Sequence, residues 1–278
     1  MAGFPNIGST CYANSALKFL IHSAGPQRLR RHLVEVVASG DALHREAAMR
    51  FAQVIESSYS EAGTTPAQLQ ELLASLQQLP AFAPRNAAGE WHFPLLHKQQ
   101  DAPEFLARLS QAFALDKLYA CSAVLHDGAN QFKTDEEYWT VLQPAHAQAS
   151  LQEVLDQTPP ASWRITPGND LRQLAVRLDC TVHDLQSPFP SGSANFDFNE
   201  TVRLRATDCN HRTWTLTLEP REVIAFRGCD NAGHNLVYVK DSQWFRHDDA
   251  QVEALARMPA IENVRMINFA VTRVEPAS

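Results

Sequence analysis

Two periodicities divide this chain. In its first part apolar residues recur three and four positions apart; later they alternate with polar ones or run together in β-branched and aromatic stretches. LRRHLVEVV (29–37) and AAMRFAQVI (47–55) carry the helical spacing. YANSALKFLI (12–21) sets Leu17, Leu20 and Ile21 on one helical face. TPAQLQELLASLQQL (65–79) adds a Thr cap, Pro66 at the first helical position and Gln68 to close a capping box. Asp101 and Glu104 have the spacing of a capping box for EFLARLSQAF. WTLTL (214–218), EVIAF (222–226), NLVYVK (235–240) and VRMINFAVTRV (264–274) read as strands. SLQEVL (150–155) and DLRQLAVRL (170–178) read as helical exceptions. A turn at KDSQ leads to a short strand, WFRH, which would form a hairpin with NLVYVK. Asp249 then reads as the cap of a helix AQVEALARM. Helices first and strands later predict an α+β fold, a helical lobe over about 1–118 against an antiparallel sheet lobe over about 119–278.

Composition narrows the function. With 278 residues the chain can bury a large core without a metal or disulfide staple. A net charge of −7 argues against a nucleic-acid partner. No apolar run is long enough for a membrane span, and the N-terminus has neither the basic nor the apolar region of a signal peptide. The five cysteines are odd in number and lack a C-x-x-C pair. No zinc site, no other cofactor and no disulfide framework are expected, and a cytoplasmic, reducing compartment is the natural setting.

The candidate chemistry begins in GFPNIGSTCYANSALKFL (3–20). Cys11 stands between a Gly-Ser-Thr turn and a helix, where the helix dipole favours a thiolate. A buried structural cysteine is the plain alternative. A nucleophile would need a base and an oxyanion donor elsewhere. GCDNAGHNLVYVKDSQWFRHDDAQV (228–252) offers His234 at the head of an apolar strand, just after Gly233, where a missing side chain admits another backbone or a substrate. In a hairpin the end of the second strand returns beside His234, so Asp248 and Asp249 could hold its imidazole.

These stretches resemble the boxes of the ubiquitin-specific proteases, a family of deubiquitinating cysteine peptidases. G-F-P-N-I-G-S-T-C-Y-A-N-S-A-L resembles the cysteine box. K-Q-Q-D-A-P-E-F-L (98–106) is similar to the family's Q-Q-D-A-x-E-F-L segment. G-H-N-L-V-Y-V-K followed by W-F-R-H-D-D-A-Q-V is similar to the histidine box. The three occur in family order from residue 3 to residue 252.

The resemblance implies a papain-like peptidase fold with a helical thumb and a β-sheet palm, a single catalytic domain over 1–278. It implies Cys11 as nucleophile, His234 as general base, Asp248 as third member of the triad and Asp249 as its supporting neighbour. Asn6 matches the oxyanion-hole asparagine. Asp101 and Glu104, with Gln100 and Gly233, match the groove for the arginine-bearing C-terminal tail of ubiquitin, the implied partner. The departures are as informative. Residues 119–157 hold only Cys121, so the zinc-bearing finger subdomain is expected to be reduced or absent. His247 stands where the family has Phe, and Asn235 where it has Tyr. A short, Ala- and Gln-rich member has the style of a bacterial effector acting on host ubiquitin, and its first motif starts as in a domain cut from a longer chain. A peptidase for another ubiquitin-like modifier would use the same triad, and a ubiquitin-binding module would keep the fold without it.

Overall fold

The structure, a computed structural model, describes residues 1–83, 88–89, 91, 93–96, 98–123, 151–156, 175–179, 198–208, 210–229, 232–259, 261 and 264–277. The loop read at 186–197, most of the stretch expected to lack fingers, the N-terminal half of the 170–178 segment, Cys180 and Cys209 lie outside these residues. The chain forms two compact units. One comprises Met1–Leu115, His234–Val237 and Phe245–Ala254, the other Asp116–Gly233, Tyr238–Trp244 and Leu255–Ser278.

The first unit is built on five helices: α1 (Cys11–Ala24), α2 (Pro26–Ser39), α3 (Ala42–Ser58), α4 (Pro66–Leu76) and α5 (Ala102–Phe113). Local signals set their ends. Asp41 caps α3 by accepting from the His44 N–H at 2.9 Å. Thr65 and Gln68 form the reciprocal capping box foreseen for α4. Asp101 caps α5 through the Glu104 N–H, 2.9 Å. The Glu104 carboxylate, however, turns to Arg108 at 2.6 Å rather than back to the cap, so only half of that box forms.

α1 is buried nearly all round, as a central helix must be. Leu17, Leu20 and Ile21 are fully enclosed, and so are Tyr12, Ala13, Ala16 and Phe19 on other faces. Tyr12 anchors the first turn: its ring meets Phe105 of α5 edge-on at 5.5 Å and its hydroxyl donates to the Leu95 carbonyl at 2.8 Å. Cys11, Asn14 and Lys18 fall at i, i+3 and i+7, one face of the helix. That face grips the segment preceding the helix. The Asn14 amide donates to the Pro5 carbonyl at 3.1 Å, the Lys18 ammonium donates to the Ala2 carbonyl, and it sits 4.1 Å above the Phe4 ring.

Burial disfavours the charge of an ammonium that has no carboxylate partner among the described residues, and Lys18 is pushed down to about 7. An unfolded chain keeps a lysine protonated to about pH 10. Between about pH 7 and 10 the unfolded state therefore binds more proton, and stability rises with pH by at most about 1.4 kcal/mol per unit. Below that window both states are protonated and the slope vanishes. Lys18→Met should be the more stable protein at neutral pH, its advantage shrinking as pH rises. Denaturant curves of both proteins at pH 7 and pH 9 check this; an unchanged gap would mean that the amine titrates normally.

The strands are β1 (Tyr119–Ala123), β2 (Ala175–Asp179), β3 (Val202–Thr207), β4 (Thr213–Cys229), β5 (Ala232–Lys240), β6 (Trp244–Asp248), β7 (Gln251–Leu255) and β8 (Val264–Pro276); a short helix, α6 (Leu151–Asp156), precedes β2. Their order in the sheet is β1-β2-β8-β4-β5-β6-β7, with β3 also on β4. β2–β8, β8–β4 and β3–β4 are antiparallel as expected, but β1–β2 is parallel.

Three sequence readings are corrected. Residues 175–178, read as helix, lie in β2: AVRLD alternates as well as it spirals, and pairing on both edges decides. WTLTL and EVIAF are parts of the one long β4, whose pairing with β8 shifts register at Pro220/Glu222. Pro220 has no N–H to give, and a bulge lets the strand continue past it. AQVEALARM is not a helix and Asp249 is no helix cap: residues 251–255 form β7. Asp249 has a left-handed φ of 51°, which reverses the chain, whereas a cap needs extended backbone. Among the described residues no helix is long and apolar enough to cross a membrane.

Candidate active site

Every residue of the candidate triad belongs to the first unit. Cys11 is the first residue of α1, where the leading N–H groups have no intrahelical partner. The turn before it is self-bonded: Thr10 Oγ1 accepts from the Ile7 N–H at 3.1 Å and donates to Asn6 Oδ1 at 3.3 Å. Asn6 is thereby fixed in the turn that leads into Cys11.

His234 and Asp248 come from β5 and β6. His234 Nε2 lies 2.7 Å from Asp248 Oδ1 and 3.9 Å from Asp249 Oδ2. An Nε2–H donated to Asp248 leaves the Nδ1 lone pair to take a proton. The second carboxylate is otherwise engaged. Asp249 Oδ2 accepts from Asn6 Nδ2 and Oδ1 from Asn14 Nδ2, both at 2.7 Å. Its main-chain oxygen accepts the Phe4 N–H at 2.9 Å. Asp249 thus ties the β6–β7 turn to the segment before Cys11 and to α1. Gly3 is required there: a Cβ would stand 2.4 Å from the Ala250 backbone.

Cys11 is 4% exposed. Burial pushes its thiol up; the backbone N–H and side-chain amide of Asn235 pull it down, while the Asp249 charge pushes it up again. Asn235, itself 3% exposed, places Nδ2 4.0 Å from Sγ. His234, Asp248 and Asp249 present ligand atoms within 4.8 Å of one another, the one such group among the described residues. His234 Nε2, Asp248 Oδ1 and both Asp249 oxygens already have partners in one another or in the two asparagines.

The other candidates make other contacts. Gln100 Nε2 donates to the Pro94 carbonyl at 3.1 Å, and Glu104 is held by Arg108. Gly233, in the second unit, leaves room for the Phe226 ring, which a Cβ would meet at 1.7 Å. His247 is buried at 5% exposure, as the Phe it replaces would be. Sequence reasoning passed over Asn14 and Asn235. Asn14 was legible only as a polar residue on a buried helical face, and Asn235 only as a departure from the family residue.

A sequence model described as ubiquitin carboxyl-terminal hydrolase matches residues 2–221, a span that ends before His234. No curated protein matches the chain. Among solved structures, the fold is similar to the SAGA Ubp8/Sgf11/Sus1/Sgf73 DUB module bound to ubiquitin aldehyde, with TM-score 0.63 and 17% identity over 99% of this chain and 70% of that one. It is similar also to the yeast SAGA DUB module carrying an Sgf73 mutant, with TM-score 0.63 and 16% identity over 99% and 69%. At these identities the likeness is one of fold, helices with an antiparallel sheet. With the family model spanning most of the chain, the protein belongs to the ubiquitin carboxyl-terminal hydrolase family and is by family a cysteine peptidase that removes ubiquitin.

Proposed function

We propose that the chain hydrolyses the bond after the C-terminal glycine of ubiquitin with Cys11 as nucleophile, His234 as base and Asp248 as the acid that orients it. One observation carries this reading: hydrogen bonds join residues of three distant stretches, Asp249 with Asn6 and Asn14, Asp248 with His234, and Asn235 with the buried Cys11 thiol at a helix start. His234 Nδ1 accepts the thiol proton and Sγ attacks the glycine carbonyl. One Asn6 N–H is held by Asp249; the other, with the Cys11 main-chain N–H, is free to meet the oxyanion. The imidazolium returns its proton to the leaving amine, giving a thioester, and water activated by the same imidazole hydrolyses it.

Asp101 and Glu104 would face the arginines of the ubiquitin tail, with Gln100 beside them. Glu104 would then exchange Arg108 for a substrate guanidinium, like for like. The thiol chemistry suits a reducing, cytoplasmic compartment. Action as an effector in a host cytosol is part of the proposal and rests on the stripped-down, Ala- and Gln-rich sequence alone.

A ubiquitin probe bearing a C-terminal electrophile tests the reading, run beside probes built on related modifiers. The expected result is one adduct, on Cys11, with ubiquitin reacting fastest. Faster labelling by another modifier would assign the enzyme to that substrate, and no labelling by any probe would leave a binding module.

A further inference from the structure

We propose that Asn235 is a further catalytic residue, its side-chain amide donating a hydrogen bond to the Cys11 sulfur and holding the thiolate in a buried site. The inference rests on Cys11 being the nucleophile. Asn235 lies in β5 directly after His234, and Leu236 and Val237 beyond it are buried apolar residues. An amide placed in such a strand is costly unless it is bonded, and Asn235 Nδ2 points to Sγ at 4.0 Å.

The sulfur needs such a donor. It is desolvated, and the one carboxylate whose charge acts on it, Asp249, opposes a second negative charge. His234 is hydrogen-bonded to Asp248, and Cys11 and His234 share no hydrogen bond in this structure. The titratable side chains around the thiol are thus His234, Asp249 and Tyr12, and none of these side chains donates to it here, although the Tyr12 backbone N–H acts on it. The backbone N–H of Asn235 acts on the same sulfur. Main chain and side chain of one residue therefore approach it together, two donors that resemble a small anion hole for sulfur. No proton leaves the amide; the thiol proton passes to His234 Nδ1, and Asn235 lowers the energy of the ion left behind. Where the resemblance places a Tyr, this chain has a shorter side chain that reaches the nucleophile.

The test uses two variants without a donor and of different volume, Asn235→Leu and Asn235→Ala. Alkylation of Cys11 by iodoacetamide is followed across a pH series by mass spectrometry of its peptide, beside hydrolysis of a ubiquitin C-terminal fluorogenic substrate. Both variants should titrate about one pH unit higher than the wild type, the scale of one charge-stabilising hydrogen bond. At neutral pH kcat should fall about tenfold in both, with KM little changed. A wild-type midpoint in either folded variant overturns the proposal, and so does a shift in Asn235→Ala alone, which would report lost packing. Cys11→Ala separates the two levels: if it stays active the nucleophile reading fails, whereas a dead Cys11→Ala beside normally titrating Asn235 variants sinks only the role of Asn235.

Discussion

Cys11→Ala should reduce cleavage of a ubiquitin C-terminal fluorogenic substrate to background, a loss of at least about 10⁴-fold, while the melting curve stays close to that of the wild type. The substitution removes one sulfur atom from a site whose position is set by other groups. Tyr12 is pinned to Phe105 and Leu95, and the Asn6–Thr10 turn bonds within itself. The helix start therefore survives the loss. Cys229→Ala, near His234 in sequence, should leave activity within a few-fold, since no step of the reaction uses that residue. Kinetics and melting of the two variants decide the matter, and an active Cys11→Ala beside an inactive Cys229→Ala would move the nucleophile.

The two acids should fail in different ways. Asp248→Ala deprives His234 of its 2.7 Å partner. The imidazole then loses both its tautomer preference and the charge that steadies the imidazolium, and kcat should fall by about 10²-fold or more, with the pH–rate profile displaced. From sequence, Asp249 reads as a helix cap whose loss costs chiefly stability. The structure changes that expectation. Asp249 is 14% exposed against 31% for Asp248, and its oxygens hold Asn6 and Asn14. Asp249→Ala would free the oxyanion donor and strip the carboxylate acceptor from the amide of the 2%-exposed Asn14. A fall in kcat of about 10²-fold is expected, with the acid limb of the pH profile moved to lower pH because the charge that pushes the Cys11 thiol up is gone, and about 1–2 kcal/mol of stability lost. Matched pH–rate profiles and denaturation curves separate the two. An inert Asp248→Ala beside a dead Asp249→Ala would transfer the orienting role by one residue.

What the sequence determined by itself is what short-range physics encodes. The helical spacing of 29–37 and 47–55, the Thr65–Gln68 box and the Asp101 cap each depend on groups within a few residues, and each forms. The pairing of His234 with the acids after WFRH follows from a hairpin, also a local event. Fold class and family were legible because the three boxes sit in order along the chain. Tertiary structure decided the rest wherever local preference was balanced. AVRLD and QVEAL fit helix and strand alike, and both become strands because sheet partners, or the left-handed turn at Asp249, are available to them. The Asn6–Asp249–Asn14 junction joins residues more than 230 apart in sequence, and Asn235 reaches Cys11 across a comparable gap. No periodicity carries such contacts. They exist because a half-buried carboxylate and a buried amide must find partners, and only the folded chain sets which partners lie within reach.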